Sequence, residues 1–584
     1  MEKLKNFVRN FNLPKKSELR SALSSFSKKE WLIFLGLVLI LFVSTIIILE
    51  KINTSFMVDI PMQGGSISEG IVGTPRFVNP ILALSDADQD LVALVYSGLM
   101  RKSSNNTLIP DLAEKYEVSK DGLTYTFTLK NKIYFQDGRP VTIDDIIFTI
   151  NEIKDPIIKS PKKGNWDGVI AEKIDEKTIK FTLKQPYASF LENTTLGIMP
   201  AHLWEGSPIE LNDANTNPIG SGPYQVSKVS KQSSGIINSY ELTSFKKFIL
   251  SKVYIKNITL RFYPNENDLM SALQNGEIEQ VNSITPENAE ILKQKGYRTE
   301  TSILPRVFGL FFNQNQAQIF TNKNLNKAID LAIDKDRIVN EALGGYGVAI
   351  DDPIPPNISI YQKLSGGNNL SYDEKFKKAQ DILTKDGWKK GEDGFLEKTT
   401  TDKKKKKKTQ NITFTISTGN APELANSAEI IRQNLVSLGI KVEVKTFETG
   451  NLNQTVIRPR NYDALLFGQI INNKSDLFAF WHSSQRKDPG LNIAMYTNAK
   501  VDKILEDAFI TIDENARAKK YAQFEDEIKK DIPAVFLYSP NFLYVVSKNL
   551  RGLSIDHVTS TSDRFLSSYL WYIKTDSVWK IFSK

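Results

Sequence analysis

The chain has 584 residues, 41% hydrophobic and 24% charged, the composition of a folded protein too long for one compact core. It has no cysteine, which excludes disulfides, thiolate metal sites, a cysteine nucleophile and a lipid-modified cysteine anchor. The formal charge of +8 sits in residues 1–30 and in the run Lys403–Lys408, so the body lacks the basic face of a nucleic-acid binder.

Residues 1–30 read as a basic cytoplasmic tail. Trp31 to Leu49 (WLIFLGLVLILFVSTIIIL) is 19 residues without a charge. As a helix it is ~28 Å long, against ~30 Å for the hydrocarbon core of a bilayer. Lys28 and Lys29 precede it, while Glu50, Lys51 and Asp59 follow. The positive-inside rule then gives a single-pass anchor in the cell membrane, with the N-terminus in the cytoplasm and the main body outside. A cleaved secretory signal is the other reading. Its apolar region usually runs only ~7–15 residues and ends at a small-residue site, and neither feature is found here. Residues 50–63 read as a linker, and the globular text begins at Gly64.

From Val95 to Ile153 the signals are dense. Tyr125, Phe127 and Leu129 alternate with Thr126, Thr128 and Lys130, the period of a half-buried strand. Asp121-Gly122 and Asp137-Gly138 bracket it as turns, and Thr142 with Asp145 opens a helix through Ile146, Ile147 and Ile150. Strands are expected at 123–130, 132–135 and 178–184, with FTLK at both 127–130 and 181–184. That echo reads as two similar strands of one sheet rather than a repeat, since nothing around it recurs. After Gly220-Ser221-Gly222-Pro223-Tyr224, strands at 258–263 and 279–284 flank a helix at 265–274, which implies parallel pairing through a right-handed crossover. Thr285-Pro286 starts a further helix ending at Gly296.

A second lobe follows. One helix is expected through Leu325, Ile329, Ala332 and Ile338, stopped by Gly344-Gly345, then a proline-rich loop at 349–357. A helix is read at 372–384, a strand at 412–417, a helix at 422–438 and a strand at 441–447. Helices at 499–509 and 514–530 precede a strand region at 534–546. The lysine run reads as a solvated hairpin tip, or else as a patch drawn to an anionic surface.

Catalytic patterns are missing. The three histidines, His202, His482 and His557, lie far apart, and no H-E-x-x-H, G-x-S-x-G or P-loop pattern occurs. Gly220-Ser221-Gly222 lacks the third glycine of a dinucleotide fingerprint, and the pairs Asp144-Asp145 and Asp351-Asp352 cannot aim adjacent carboxylates at one point. The chain reads as a non-enzyme without a cofactor or metal.

The run GLM…LIPDLAEKYEVSKDGLTYTFTLKNKIYFQDGRPVTIDDIIFTI resembles the dipeptide/oligopeptide/nickel class of extracellular solute-binding proteins of ABC importers. GGSISEGIVGTPRFVNP (64–80), GSGPY (220–224), LMSALQNGEIEQV (269–281), FFNQN (311–315), LNKAIDLAIDKDRIV (325–339), PIPP (353–356) and IIRQNLVSLGIKVEV (430–444) continue the likeness in order. The resemblance implies an α/β, two-lobe periplasmic-binding-protein-like fold of type II, with an extra small α+β domain, preceded by one transmembrane helix. Lobe I would comprise 64–94, 218–302 and 534–575, the small domain 95–217, and lobe II 303–533. Hinge crossings would lie at Thr301–Arg306 and Pro533–Phe536, closing the lobes over a ligand.

By the same resemblance, Thr74 and Arg76 in the loop 74–79, Tyr224, Asn313, and Gln469 and Asn472 in the segment 468–472 sit where family members line the pocket. Trp481 is an aromatic wall there, or a core tryptophan. Gln469 and Asn472 stand in place of the family's Trp and of the Asp that pairs with a peptide's α-ammonium, and Asn brings no charge. The expected partners are a peptide or small polar solute, ABC permease subunits and the membrane, with the chain a monomer. A tethered ligand sensor or docking protein that reuses the fold without transport is the alternative.

Overall fold

The computed structural model describes residues 16–103, 105–187, 189–356, 358, 370–401 and 407–582. Two compact units are present, one of residues 1–62 and 574–584, the other of residues 63–573.

In the first unit the apolar stretch lies within one helix, Lys28–Phe56, opened by a capping box between Ser27 and Glu30. Among the described residues it is the one helix long and apolar enough to cross a membrane. The expected linker 50–63 is mostly regular structure. The helix continues through Phe56, and Met57–Met62 is a strand paired antiparallel with the C-terminal strand Lys574–Trp579. The sequence missed it because the partner lies more than 500 residues away, and a short strand without strict alternation gives no periodic signal.

The second unit is built on a twelve-stranded sheet. Its spine is the 13-residue strand Ala534–Val546. The first half of the spine pairs antiparallel with Arg306–Phe312, and the second half with Arg298–Ile303 and Gln280–Asn282. The chain therefore crosses between lobes at Leu304-Pro305 and at Ser539-Pro540, joined by the Leu304 N–H donating to the Pro540 carbonyl at 2.9 Å. The first crossing is where it was expected. The second is not at Pro533–Phe536, because those residues are paired or packed inside lobe II. The sequence placed the break before the strand, whereas prolines, which cannot donate to a ladder, set it within.

On one side of the crossings, Ser66–Val72 lies between Asn257–Tyr263 and Gln280–Asn282, parallel to both, so the expected strand–helix–strand unit has a third strand inserted. The small domain's sheet runs Ala113–Val118, Thr124–Leu129, Thr178–Thr182, Ile170–Lys173. Its two FTLK strands are neighbours, with Tyr125 opposite Phe181 and Phe127 opposite Ile179. Thr142 and Asp145 form the expected capping box of the helix Ile143–Lys154, whose Ile143, Ile146, Ile150 and Ile153 are buried. At 132–135 only an isolated bridge, Tyr134 to Pro140, replaces the expected strand.

On the other side, the sheet has a core on each face. Leu310, Phe312, Ile416 and Leu466 face one core, and Val307, Phe311 and Leu465 face the other, as the period of two requires. The single helix expected from Leu325 to Ile338 is two, Lys323–Ala332 and Lys335–Ala342, because Asp334 caps the second by accepting the Arg337 N–H at 3.0 Å. The last two residues of the lysine run, Lys407 and Lys408, open the strand Lys407–Asn411, which pairs with Leu396–Thr401, and residues 402–406 lie outside the described residues.

Arg564 binds lobe I together at its centre. Its side chain and those of Glu69 and Asp90 have no exposed surface. The guanidinium grips Asp90 in a fork at 2.8 and 2.6 Å and donates to Glu69 at 2.8 Å. The Tyr544 hydroxyl lies 2.7 Å from Glu69 and 2.6 Å from the Gln280 amide. The one phenol proton faces two acceptors, the Glu69 carboxylate and the Gln280 side-chain oxygen. One guanidinium cannot neutralise two buried carboxylates, and burial pushes the Asp90 carboxyl up to about 7 against the pull of Arg564.

Two outcomes follow for the full chain in detergent. Arg564→Met, measured by urea denaturation, loses ~3–5 kcal/mol because two buried carboxylates lose their cation; a loss under ~1 kcal/mol contradicts this. Asp90 holds its proton when folded at pH values where the unfolded chain has released it. Its contribution is complete below its unfolded value of 3.8 and is lost as pH rises through about 7. The melting temperature should carry a downward slope across that window, and Asp90→Asn should remove part of it; an unchanged slope in the variant contradicts the assignment.

Candidate functional site

The lobes meet through the small domain. Ser189 Oγ lies 3.1 Å from Ser475 Oγ. The ring of Tyr187 stacks on Phe509 with centroids 5.1 Å apart. The turn at Gly122 packs so closely on lobe II that a Cβ there would come within 2.2 Å of Ile512 Cδ1.

Charge collects beside this seam. Burial raises the Glu192 carboxyl above its usual range, with Asp476 across the seam adding to the rise and Lys102 and Arg517 opposing it. Asp476 is also raised by burial, although its carboxylate accepts the backbone N–H groups of Asn472 and Asn473 at 2.9 and 3.2 Å and feels Lys102. Further into lobe II, burial pushes Lys474 down to about 8 and Glu525 up to about 7. Carboxyls raised and an amine lowered by the same cause mark a partly dehydrated polar site, the setting in which a ligand's charges interact strongly.

Lys102 and Glu192 also line a cavity of about 420 Å³, with Tyr96, Trp166, Lys162 and Ser562. One wall is two strips of backbone zipped together, Met100 N–H to Thr194 O at 3.1 Å and Ile198 N–H to Ser97 O at 2.9 Å. Gly98 and Gly197 allow this approach, since a Cβ on either would fall 2.6 Å from the opposite strip. Behind it, Arg101 is buried and fully engaged, with Asp111 at 2.7 Å, the Leu566 carbonyl at 3.1 Å and Ser97 at 3.1 Å. The other Asp111 oxygen is buried without a partner. Burial alone pulls Lys162 below the usual lysine range.

The residues expected from the sequence do not converge on this site. Tyr224 has no exposed surface and its hydroxyl donates to the Ile255 carbonyl at 3.2 Å, so it is core packing. Its motif is a packing device. A Cβ at Gly220 would lie 2.2 Å from the Val95 carbonyl oxygen and one at Gly222 2.6 Å from the Val95 carbonyl carbon. Asn313 is buried, its amide donating to the Arg460 carbonyl at 2.9 Å and accepting the Asn315 and Gln316 N–H groups. Trp481 is core as well, its ring against Phe311, Tyr496, Phe524 and Phe536. Gln469 is buried on the strand opposite Val307, with both amide atoms unpartnered. Thr74, Arg76 and Asn472 keep exposed side chains. The Thr74–Phe77 loop is moored by Asp88, which accepts the N–H groups of Arg76 and Phe77 at 2.7 and 2.9 Å.

Sequence reading missed Tyr187, Ser189, Glu192, Lys474, Ser475 and Asp476. Each is unremarked text in its own segment, and only the fold brings segments almost 300 residues apart together. Among the described residues no group of three or more His, Asp or Glu could hold a metal ion.

Comparison with known proteins agrees with this architecture. The oligopeptide-binding protein AppA of Bacillus subtilis is 28% identical over 502 residues, 84% of this chain and 89% of that protein. Its solved structure, in complex with a nonapeptide, superposes with a TM-score of 0.64 over 88% of this chain and all of that one (100%). The glutathione-binding protein GsiB of Escherichia coli is 26% identical over 527 residues, 86% of this chain and 94% of that protein. The ABC transporter substrate-binding protein CtaP of Listeria monocytogenes is 25% identical, with a TM-score of 0.73 over 88% of this chain and 99% of that one. These are type II binding-protein folds. Residues 107–489, well over half of the chain, match the model of the bacterial extracellular solute-binding proteins, family 5, and the chain belongs to that family.

Proposed function

We propose that the chain is a membrane-tethered extracytoplasmic binding protein that captures a short peptide or similar polar solute between its lobes. The closed form would present the solute to the permease of an ABC importer. The helix Lys28–Phe56 is retained as a single-pass anchor, the N-terminus is cytoplasmic, and the body acts as a monomer. The observation that carries this reading is the seam itself, where a hydrogen bond and an aromatic stack close beside dehydrated charges, with a cavity in the adjoining wall lined by lobe I and the small domain. About 420 Å³ lies within the ~300–1,000 Å³ of small-ligand pockets. AppA and GsiB, by their names an oligopeptide and a glutathione binder, support a peptide as the solute.

The negative charge missing at Asn472 is supplied by Asp476 and Glu192, one from each lobe. A ligand ammonium between them would relieve two carboxyls raised by burial, the charge-assisted pairing that drives closure. Thr74, Arg76 and Asn472 remain proposed contacts because their side chains are exposed. Gln469 is proposed as a further polar contact, since its buried amide has no partner.

Native mass spectrometry of the full chain in detergent with a pool of di- to nonapeptides should give a mass adduct. Any binder should add ~2.7 kcal/mol of stability at a hundred times its Kd. No adduct and no shift across the pool would overturn the peptide reading. For a peptide found this way, Glu192→Gln and Asp476→Asn should each raise Kd roughly tenfold in calorimetry. The N-acetylated form of the same peptide should not distinguish the variants from wild type; equal losses for both forms would place the carboxyls elsewhere than at the ammonium.

A further inference from the structure

We infer that the C-terminal strand Lys574–Trp579 is a second part of the membrane anchor. It would seat Trp579 and Ile581 in the headgroup layer of the leaflet from which the helix Lys28–Phe56 emerges. The inference rests on the reading of that helix as a retained anchor and adds an interaction surface to it.

Depth makes the case. The helix has 29 residues and is ~43 Å long, the thickness of a bilayer with its headgroups, ~40–45 Å. Its uncharged stretch fills the hydrocarbon, so the seven residues Glu50–Phe56 span the next ~10 Å, through the headgroups. At this level the Trp579 indole N–H donates to the side-chain oxygen of Asn53 at 2.7 Å. The indole therefore lies at the depth of Asn53, with its polar atom satisfied and its ring 48% exposed. Phe56 at 61% and Ile581 at 71% exposure are the apolar neighbours in the same chain segments.

Polarity rises along the ribbon away from the helix. Met57 pairs with Trp579, and the next pair on that face is Asp59 with Ser577, whose hydroxyl donates to the carboxylate at 2.7 Å. An apolar rung next to the helix followed by a polar rung is the gradient of a membrane interface, where tryptophan concentrates. The opposite end of the helix has its own aromatic group, with Trp31 edge-on to Phe26 and Phe34 at 6.2 and 5.7 Å. The occupant is the lipid interface because the surface is continuous with the spanning helix and presents exposed Phe56, Trp579 and Ile581, with the exposed Lys580 as their charged neighbour.

The cysteine-free chain allows a direct test. Full-length protein carrying Ile581→Cys, or Ser234→Cys as a control on the body, is spin-labelled and reconstituted in phosphatidylcholine/phosphatidylglycerol vesicles. Power saturation with oxygen and with a water-soluble nickel chelate then reports depth. The label at 581 should show roughly threefold lower accessibility to the chelate than the label at 234, with oxygen access retained. Asn53→Ala should raise chelate access at 581. Equal chelate access at the two positions overturns the inference, as does exclusion of both reagents at 581, which is the mark of a protein contact. Intact mass of the same membrane-extracted protein separates the two failures. A chain lacking its first 50 or so residues removes the anchor reading, whereas an intact chain with a water-exposed label removes only the present inference.

Discussion

The rest of the structure is arranged about one strand shared by both lobes. Ala534–Val546 runs through both lobes and belongs to both halves of the sheet, yet hydrophobic packing is not continuous along it. Ala534 to Tyr538 pack into the cores of lobe II, and Phe542 to Val546 into the cores of lobe I. Between them lie Ser539 and Pro540, paired with Val348 and Gly347, and Asn541, opposite Ile303, with the Pro540 carbonyl bonded to Leu304 on the other crossing. Pro305 and Pro540 withhold ladder N–H groups where bending is needed. Rotation there would change a few backbone dihedrals, as in a hinge, with Tyr346 of lobe II packed on a lobe I core beside the crossing.

Two of the contacts across the seam are individually weak. One serine–serine hydrogen bond contributes ~0.5–1.5 kcal/mol and one aromatic stack ~0.5–1.5 kcal/mol. A solute shifts the balance only by the difference in its affinity for the two forms, and about 5.5 kcal/mol of difference takes it from 1:99 to 99:1. The buried Arg564 cluster has the opposite character. It ties the strand with Glu69, the helix with Asp90 and the spine at Tyr544 into one body, so that lobe I turns as a unit.

Much of the scaffold was legible because its signals are local. The capping box at Thr142 and Asp145, the alternation of Tyr125 and Phe127, and the helix Pro422–Leu438 closed by Gly439 are each written within a dozen or so residues. Failures came where the decisive partner is distant. The strand Met57–Met62 exists because of Lys574–Trp579, and the second hinge because Asn541–Val546 pair with Arg298–Ile303. The site was least legible. Tyr224 and Asn313 belong to conspicuous motifs, but these motifs hold backbone against backbone or cap a turn, which requires burial rather than access to a ligand. Glu192 and Asp476 carry no motif, and the role proposed for them depends on desolvation, a property of the assembled seam.

A solute bound between the lobes should shift the protein toward the closed form about this strand. Spin labels introduced at Lys177 in the small domain and Lys500 in lobe II, both in a chain with no cysteine of its own, report the interlobe distance by pulsed dipolar spectroscopy. The account predicts a longer and broader distance distribution without solute, collapsing to a single short distance when a peptide identified by its mass adduct is added. The same distribution with and without that peptide would contradict it.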